Sequence, residues 1–205
     1  MNICAREISK IMFAVVLASP VAVVAQDAVK VPEEVRPFVE KGMEPIALEA
    51  GDLNADGRKD FILVLSKSRD PKAEFDEAGD AERPTLILVR DNNDKLSVAA
   101  RNDTVVYCRT CGGVFGDPFA GIDIRGTRFT ISIYGGSNDR WAYDYTFAYS
   151  HRDNNWQLVR VEETTFQALD PNHTTRKHIY TPPKSFGLIN FADFEPENYL
   201  GKGKR

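Results

Sequence analysis

The sequence predicts an α+β fold dominated by β-strands, in which an antiparallel meander follows a short N-terminal helix and a hairpin with an acidic connection. Two observations predict this fold. After Pro45, apolar residues alternate with polar ones or form short continuous runs, as they do in strands. Clusters of Asp, Asn and Gly separate these runs at the spacing of hairpin turns. The composition of the 205 residues, 42% hydrophobic and 27% charged, is that of an ordinary globular domain.

The first 25 residues have the pattern of a secretory signal peptide. Arg6 and Lys10 precede an apolar run over residues 11–25, which ends in small and β-branched residues. A transmembrane anchor is the alternative, but Pro20 interrupts the run and no basic cluster follows it. We therefore expect a periplasmic or secreted protein with no membrane span after cleavage. The predicted organisation is a signal peptide at 1–25 and a single exported domain at 26–205.

Residues 32–42 predict the short helix. Val35, Phe38 and Val39 lie at helical spacing, acidic residues occupy the first turn, and a glycine follows the last apolar position. Pro37 would then have to lie in the first turn, where a helix tolerates proline.

Apolar runs predict the strands of the first half of the chain. We expect strands at 46–50, 61–65, 85–89, 96–99 and 104–107. The run at 61–65 is continuously apolar, which indicates a strand buried on both faces. A turn at 91–94 joins two of these strands into a hairpin, and residues 67–83 are expected to form a polar surface loop.

Three further runs predict the antiparallel meander of the second half. They lie at 128–134, 143–149 and 156–161. Short turns rich in Gly or Asn join them. Between residues 176 and 200, prolines and aromatic residues predict one more strand pair or a packed extended segment. The chain shows no repeat at a fixed period, so a propeller or a solenoid is not expected.

Residues 52–60 carry the clearest chemical pattern in the chain. Oxygen-bearing side chains stand at alternate positions of this segment, and they are Asp52, Asn54, Asp56 and Asp60. Calcium binds about six to eight oxygens, which a tight loop supplies from such side chains and from a backbone carbonyl, here that of Arg58. Gly57 permits the sharp turn. Because crowded carboxylates repel one another, we expect calcium to order this loop; the alternative is an acidic Asx-turn that binds no ion.

This loop resembles the Asp-x-Asn-x-Asp-Gly loops of FG-GAP and VCBS-type repeats. An EF-hand is not expected, since Leu63 stands where an EF-hand has its bidentate glutamate and strands are predicted on both sides. The resemblance covers residues 51–65 and implies a calcium-loop hairpin. The side-chain ligands it implies are Asp52, Asn54, Asp56 and Asp60. A looser resemblance, over residues 112–119 and 134–141, is to exported bacterial proteins that combine one such loop with an antiparallel meander.

Cys108 and Cys111 form a CxxC pair, and in an exported protein we expect them to form a local disulfide. Thioredoxin-type redox chemistry is an alternative, but the glycine-rich sequence that follows is a poor helix. Zinc binding is another alternative, although His151, His173 and His178 do not have the spacing of a zinc finger.

Residues 135–141 predict either a hairpin connection or the lip of a ligand site. Glycine suits the turn, whereas Arg140 and Trp141 are residue types that anchor binding surfaces. The alternating aromatic row that follows is either a platform for carbohydrate or, more commonly for such rows, part of a core. It consists of Tyr143, Tyr145, Phe147 and Tyr149.

The sequence gives little support to catalysis. It contains no serine-nucleophile motif of the Gly-x-Ser-x-Gly type, and Asp170 and His173 lie in a polar loop with no nucleophile beside them. A net charge of −4 without a basic face argues against nucleic-acid binding. We therefore expect an exported calcium-stabilised binding or interaction module without catalytic activity, whose partner is an envelope protein or a glycan. The alternatives are an envelope polysaccharide or cell-wall hydrolase, and an inhibitor or immunity partner of an envelope enzyme.

Overall fold

The strands of the chain pair into two antiparallel sheets. This computed structural model describes residues 29–69, 79 and 81–203. In chain order the strands are β1 Met43–Gly51, β2 Asp60–Lys67, β3 Thr85–Arg90, β4 Leu96–Asn102, β5 Phe119–Arg125, β6 Arg128–Gly136, β7 Asp139–Ser150, β8 Asn155–Gln167 and β9 Arg176–Tyr180. The first sheet has the order β1-β2-β3-β4 and the second the order β5-β6-β7-β8-β9. The predicted β-dominated antiparallel fold is confirmed, while the signal peptide predicted at 1–25 lies outside the described residues.

Strand β2 is buried on both faces, as its continuous apolar run predicts. Successive side chains of a strand point to opposite faces of the sheet. Leu63 and Leu65 accordingly pack in one cluster with Val35 of the N-terminal segment. Ile62 and Val64 belong to the main core on the other side. The first sheet is therefore covered on both faces at its centre.

Strands β1 and β2 form the hairpin predicted around the acidic residues. Their register ends at the pair Gly51–Asp60, so residues 52–59 connect the two strands. Within this connection Leu53 is completely buried in the main core. The indole Nε1 of Trp156 on β8 donates a hydrogen bond of 3.0 Å to the carbonyl oxygen of Leu53. These two contacts attach the connection to the second sheet.

The second sheet contains the predicted meander. Strands β6, β7 and β8 pair in sequence, as the alternating pattern predicts. Strands β5 and β9 extend the sheet at its two edges. The alternation does not predict β5, because Gly121 and the register shift between Phe119 and Gly121 interrupt the pattern where the strand begins.

Both sheets and the C-terminal segment, residues 186–199, build the main core. The buried side chains of this segment are Phe186, Ile189, Phe191, Phe194 and Tyr199. Phe191 and Phe194 pack edge-on against Phe147 of β7, with ring centroids 5.1 and 5.4 Å away. The predicted tail thus supplies one strand, β9, and a packed segment that contains the 3-10 turn Phe191–Asp193.

The predicted N-terminal helix is not found. A 3-10 turn of three residues, Arg36–Phe38, stands in its place, and the α-helix of the described residues is α1, Pro171–Thr174. Pro37 has no N–H to donate to the preceding turn, so it interrupts the hydrogen bonds of a helix that starts at Pro32. Val35 is nevertheless fully buried against the first sheet. Within the described part of the chain, no helix has both the length and the apolar character needed to cross a membrane.

The strand predicted at 104–107 is also absent. The side-chain oxygen of Asn102, at the end of β4, accepts N–H bonds from Thr104 at 2.9 Å and from Val105 at 2.7 Å. A side chain that satisfies these backbone groups closes a local turn, and the turn replaces pairing with a strand.

The prediction of a surface loop at 67–83 is wrong at its C-terminal end. Residues 70–78 and 80 lie outside the described residues, but Arg83 is only 1% exposed. Its guanidinium donates two hydrogen bonds of 2.6 Å to the carboxylate of Asp117. Such a bidentate pair allows an arginine to be buried, which composition alone does not indicate.

Candidate functional site

The acidic loop, residues 52–60, is a turn closed by its own side chains. The carboxylate of Asp52 accepts N–H bonds from Asp56 at 3.1 Å and from Gly57 at 2.9 Å. Asn54 accepts a second bond from the Asp56 N–H at 3.1 Å, and Asp56 accepts the Arg58 N–H at 2.9 Å. Gly57 has a φ of +82°, which only glycine adopts without strain. Three of the four predicted side-chain ligands are therefore brought into one turn.

Asp60, the fourth predicted side-chain ligand, also holds the loop in place. It is completely buried, and its two oxygens accept N–H bonds of 3.0 Å from Leu53 and from Arg90 of β3. Burial raises the pKa of Asp60, and the negative charges of Asp56 and Asp52 raise it further, while the two backbone hydrogen bonds act in the opposite direction. This carboxylate therefore has a structural role whether or not the loop holds an ion.

The loop has the donor chemistry of a calcium site without being gathered into a metal centre. Its donors are carboxylate, amide and carbonyl oxygens, which calcium prefers. Within residues 29–69, 79 and 81–203, no three Asp, Glu, His or Cys side chains are arranged to hold a metal ion. The guanidinium of Arg58 donates to Asp56 at 3.1 Å and to Asn92 at 2.6 Å, so a positive charge already lies beside the carboxylates. Calcium would have to displace this guanidinium from Asp56.

The sulfur atoms of Cys108 and Cys111 lie 2.04 Å apart, which is the distance of a disulfide bond. The predicted local disulfide is thus the arrangement found. The three histidines lie apart in the fold, in the β7–β8 turn, on α1 and on β9, and they are His151, His173 and His178.

Arg140 and Trp141 do not stack on each other. The guanidinium of Arg140 lies over the ring of Phe115, 4.2 Å from its centroid, and donates to the hydroxyl of Tyr134 at 2.9 Å. The indole of Trp141 lies against Gly135, where an added Cβ would be 2.5 Å from the ring. Both residues border a groove of about 510 Å³, and Trp141 also lines a larger cleft.

The aromatic row on β7 is core in its middle and cleft wall at one end. Tyr145 and Phe147 are completely buried. Tyr143 stacks on Tyr145 with ring planes 7° apart, but it is only partly buried. Trp141 extends the row on the same side, since residues two apart on a strand share a face. The two interpretations of this row therefore apply to different parts of it.

The larger cleft, here called the aromatic cleft, has a volume of about 1040 Å³. It is bounded by β7, β8 and β9, by the segment that leads into the disulfide, and by the C-terminal segment. Five aromatic rings line it, those of Tyr107, Trp141, Tyr143, Tyr180 and Tyr199. Three carboxylates line it as well, those of Glu163, Glu195 and Glu197. Leu200 at its rim is 53% exposed.

The carboxylate of Glu163 is held by two phenols. The hydroxyl of Tyr143 donates to Oε1 at 3.1 Å, and that of Tyr180 donates to Oε2 at 2.9 Å. Tyr143 and Glu163 are direct partners across β7 and β8, which places them on one face of the sheet. No described lysine or arginine forms an ion pair with Glu163, so among the described residues two neutral hydroxyls stabilise its carboxylate.

The glutamate charges of the aromatic cleft raise the pKa values of its tyrosines, in addition to the effect of burial. Burial raises the pKa of Tyr143, and the charge of Glu163 raises it further. Burial and Glu163 also raise the pKa of Tyr180. Burial, Tyr180 and Glu163 raise the pKa of Tyr199. For Tyr107, burial raises the pKa, Tyr145 lowers it through a hydrogen bond, and Glu197 raises it.

The sequence patterns indicate only part of this cleft. Trp141 and Tyr143 are candidates from the pattern on β7, but Tyr107, Glu163 and Tyr199 come from segments far apart in the chain. One signal for Glu163 exists in the sequence, since it lies two residues after Val161 and continues an apolar strand face with a charge. A charge in such a position commonly marks the point where a face leaves the core.

The remaining predicted pair lies at the surface, with Asp170 as the N-cap residue of α1 and His173 within this helix. His173 Nδ1 is 2.7 Å from Asp170 Oδ1, and the two side chains are 84% and 52% exposed. Neither residue lines the aromatic cleft. Comparison of the chain with protein-family models and with curated proteins gives no match.

Proposed function

We propose that this chain is an exported binding module that takes its ligand in the aromatic cleft, with calcium stabilising the β1–β2 connection. The observation that carries the binding proposal is the convergence of five aromatic rings and three carboxylates on one cavity of about 1040 Å³. Small-molecule sites are concave, mostly apolar, and carry a few polar groups that fix orientation. The volume lies just above the usual range for such sites, about 300–1,000 Å³.

Rigid elements support the walls of the cleft. Tyr143 and Glu163 stand on paired strands, and Tyr107 is tied to the buried Tyr145 by a hydroxyl contact of 3.1 Å. Tyr199 packs edge-on against the buried Phe186, with ring centroids 5.8 Å apart. Side chains fixed in this way lose little freedom when a ligand binds, which favours affinity.

The calcium part of the proposal rests on the acidic loop and on its resemblance to FG-GAP and VCBS-type loops. Asp52, Asn54 and Asp56 lie within one turn and retain acceptor capacity after their N–H bonds, because a carboxylate has about four lone-pair sites. The carbonyl of Arg58 is the proposed backbone donor. Calcium would replace the Arg58 guanidinium as the counter-ion of these carboxylates and would hold the hairpin connection closed.

Calcium-dependent melting tests this part. Calcium at about 100 times its Kd should stabilise the metal-free protein by about 2.7 kcal/mol, which is measured as a rise in Tm. Asp56→Asn should abolish this rise. The metal-free variant is its own reference, because Asp56 also accepts bonds from the backbone and the guanidinium of Arg58. Asp60→Asn is unsuitable, since it removes a buried acceptor in any case.

The matched control is Asp123→Asn, which removes the charge of an exposed aspartate on β5 whose described partner is Arg125. This variant should retain the calcium response of the wild type. An unchanged Tm in metal-free wild-type protein on addition of calcium would remove the calcium part of the proposal.

Ligand binding is tested by titrating the protein with a panel of neutral, anionic and cationic small molecules, including soluble glycans. Ligands should perturb the fluorescence of Trp141 and the ring resonances of Tyr143 and Tyr180. The variant Trp141→Phe separates the signal of Trp141 from that of the second tryptophan, Trp156. Because Trp156 is only 3% exposed, a ligand should not perturb it directly. A panel that leaves these signals unchanged would contradict binding in the aromatic cleft.

A second candidate is the envelope polysaccharide or cell-wall hydrolase. The observation in its favour is that Glu163, Glu195 and Glu197 line one cavity together with rings of the kind that stack on sugars. Release of reducing ends from a cell-wall glycan, lost in both Glu163→Gln and Glu195→Gln, would replace a binding function with hydrolysis.

A further inference from the structure

We propose that the aromatic cleft selects a small organic cation, a molecule that carries an alkylammonium group. This inference rests on the proposed binding function and specifies its ligand. The shared feature of such ligands is a compact positive charge with an apolar surround.

The charge of the cleft favours a cation. Its lining includes three glutamates, and none of the described residues that line it is a lysine or an arginine. The neighbouring groove behind Trp141 differs, because Arg140 and Arg176 border it. Positive side chains are therefore present on this side of the molecule, but they do not line the aromatic cleft.

Glu163 is prepared to receive a cation. Its two oxygens are each fixed by one phenol, and each keeps a further lone pair. The carboxylate has no described basic partner that a ligand would need to displace. An ammonium group that approaches it would gain a charge-assisted hydrogen bond, which is stronger than a neutral one.

The hydrogen-bonding capacity of the cleft also favours a donor ligand. The phenols of Tyr143 and Tyr180 already donate to Glu163, and the hydroxyls of Tyr107 and Tyr145 contact each other. The carboxylate oxygens of the three glutamates only accept, and they outnumber the remaining side-chain donors of the described lining, which are the Trp141 indole N–H and the Tyr199 hydroxyl. The Asn198 amide already donates to Glu195 at 3.2 Å. A neutral sugar brings as many acceptors as donors, whereas an ammonium group brings donors alone or, when quaternary, charge alone.

The rings supply the second half of the recognition. Trp141 lies between Tyr107 and Tyr143, with centroids 5.9 Å from each, and Tyr180 lies 6.0 Å from Tyr199. The faces of Trp and Tyr rings attract cations, and several rings around one ammonium group form an aromatic cage. The cleft thus combines ring faces with fixed carboxylates, and both attract the same charge.

The test compares choline with its neutral carbon isostere, dimethylbutanol, by titration against the fluorescence of Trp141. The two probes have the same shape and differ in charge. Choline should bind on the order of tenfold more tightly than the isostere, since the ring faces and the carboxylates both attract its charge. The preference should weaken as salt is added, because the cleft is open to solvent.

Two variants locate the charge effect. Glu163→Gln should weaken choline binding several-fold and leave the isostere nearly unchanged, because it removes the coulombic attraction to a quaternary ammonium that has no N–H to donate. Glu197→Gln should weaken it less, and it leaves the phenol contacts of Glu163 intact. The control is Glu49→Gln, an exposed position on β1 in the other sheet, which should have no effect. Circular dichroism and Tm confirm that each variant is folded.

The outcomes separate the two levels of proposal. Equal affinity for choline and its isostere, or tight choline binding that survives both cleft variants, overturns the cation inference. If a neutral glycan from the panel perturbs Trp141 while choline does not, the cation inference fails and the binding function stands. If no probe perturbs the cleft, both fail.

Discussion

Asn102 shows how much one side chain can organise in this fold. It is 4% exposed, and its amide donates to the carbonyl oxygens of Phe191 at 2.7 Å and Phe194 at 2.8 Å. Its side-chain oxygen accepts the N–H groups of Thr104 and Val105. All its polar atoms are thus satisfied by the backbone, and the C-terminal segment is fastened to the end of β4.

Asn102→Asp should lower the free energy of unfolding by at least about 2 kcal/mol, because a carboxylate would face two carbonyl oxygens with no proton to donate. Denaturant unfolding at neutral pH measures the loss. The loss should shrink when the pH falls below the pKa of the new carboxyl, which then regains one donor. The control, Asn172→Asp on the exposed surface of α1, should change stability by less than about 0.5 kcal/mol.

Sequence reasoning is weakest at the scale of the single residue. It predicts Asp60 as one of a set of equivalent ligands, whereas burial and the N–H of Arg90 give Asp60 a separate structural role. It places Arg83 in a surface loop, although Asp117 pairs with it in the interior, and its Nε has no hydrogen-bond partner among the described residues. These partners lie 30 and 34 residues away in the chain, so no local pattern contains them.

At the scale of elements, strands are predicted well and the helix is not. Alternation identifies β6, β7 and β8 because one face of each is buried, and the burial pattern of β6 alternates along its length. The same physical cause misleads at residues 32–42, since apolar residues at helical spacing also arise in a segment of turns that covers a sheet. The predicted connection between β1 and β2 is found where the acidic residues indicate it.

Gly135 on β6 leaves the space that the indole of Trp141, its partner on β7, occupies. An added Cβ would lie 2.5 Å from Cζ2 of the indole and 3.0 Å from the Cα of Gly112. Gly135→Ala should therefore displace the indole and weaken any ligand of the aromatic cleft several-fold, with a loss of stability of about 1–3 kcal/mol from overpacking.

Trp141 fluorescence and ligand titration measure these two effects. Gly126→Ala, in the β5–β6 turn, is the comparison for general loss of stability, because that site has no neighbour within 4 Å of an added Cβ. It should lower stability through its positive φ of 59° without changing Trp141. An unchanged Trp141 signal in Gly135→Ala would show that Gly135 does not position the indole.

At the scale of the whole molecule, sequence patterns predict most of the strands, with β5 the exception, but not their division into two sheets. Short turns identify neighbours within each half of the chain. Residues 103–118 connect the two sheets. Asn102, at the end of β4, accepts the N–H of Val105, and the disulfide closes a second turn before β5 begins. The aromatic cleft arises from this arrangement, because its walls come from the second sheet, the disulfide segment and the C-terminal segment.

Buried phenols make the molecule sensitive to alkali. Folding raises the pKa of five tyrosines through burial first, and these are Tyr107, Tyr143, Tyr145, Tyr180 and Tyr199. Below the pKa of an unfolded tyrosine, about 10, both states are protonated and stability is unaffected. Above it the unfolded chain loses protons that the folded chain keeps, so stability falls as pH rises.

Tyrosinate absorbance and sheet circular dichroism, recorded in one alkaline titration, measure this effect. Ionisation of these five phenols should coincide with loss of the sheet signal, while any earlier tyrosinate signal should leave the sheet intact. Complete ionisation of all 7 tyrosines in a protein whose sheets persist would show that the phenols are not protected.

The closure of the main core by residues 186–199 has a consequence for how the protein is made. A chain emerges from the ribosome with its N-terminus first. The strands of the second sheet, which carry Phe147, are therefore synthesised before residues 186–199, which cover that face. Until the cover arrives, that face offers exposed aromatic rings to any other nascent chain or to a chaperone. A chain that stops before residue 186 should therefore leave this aromatic face uncovered and aggregate.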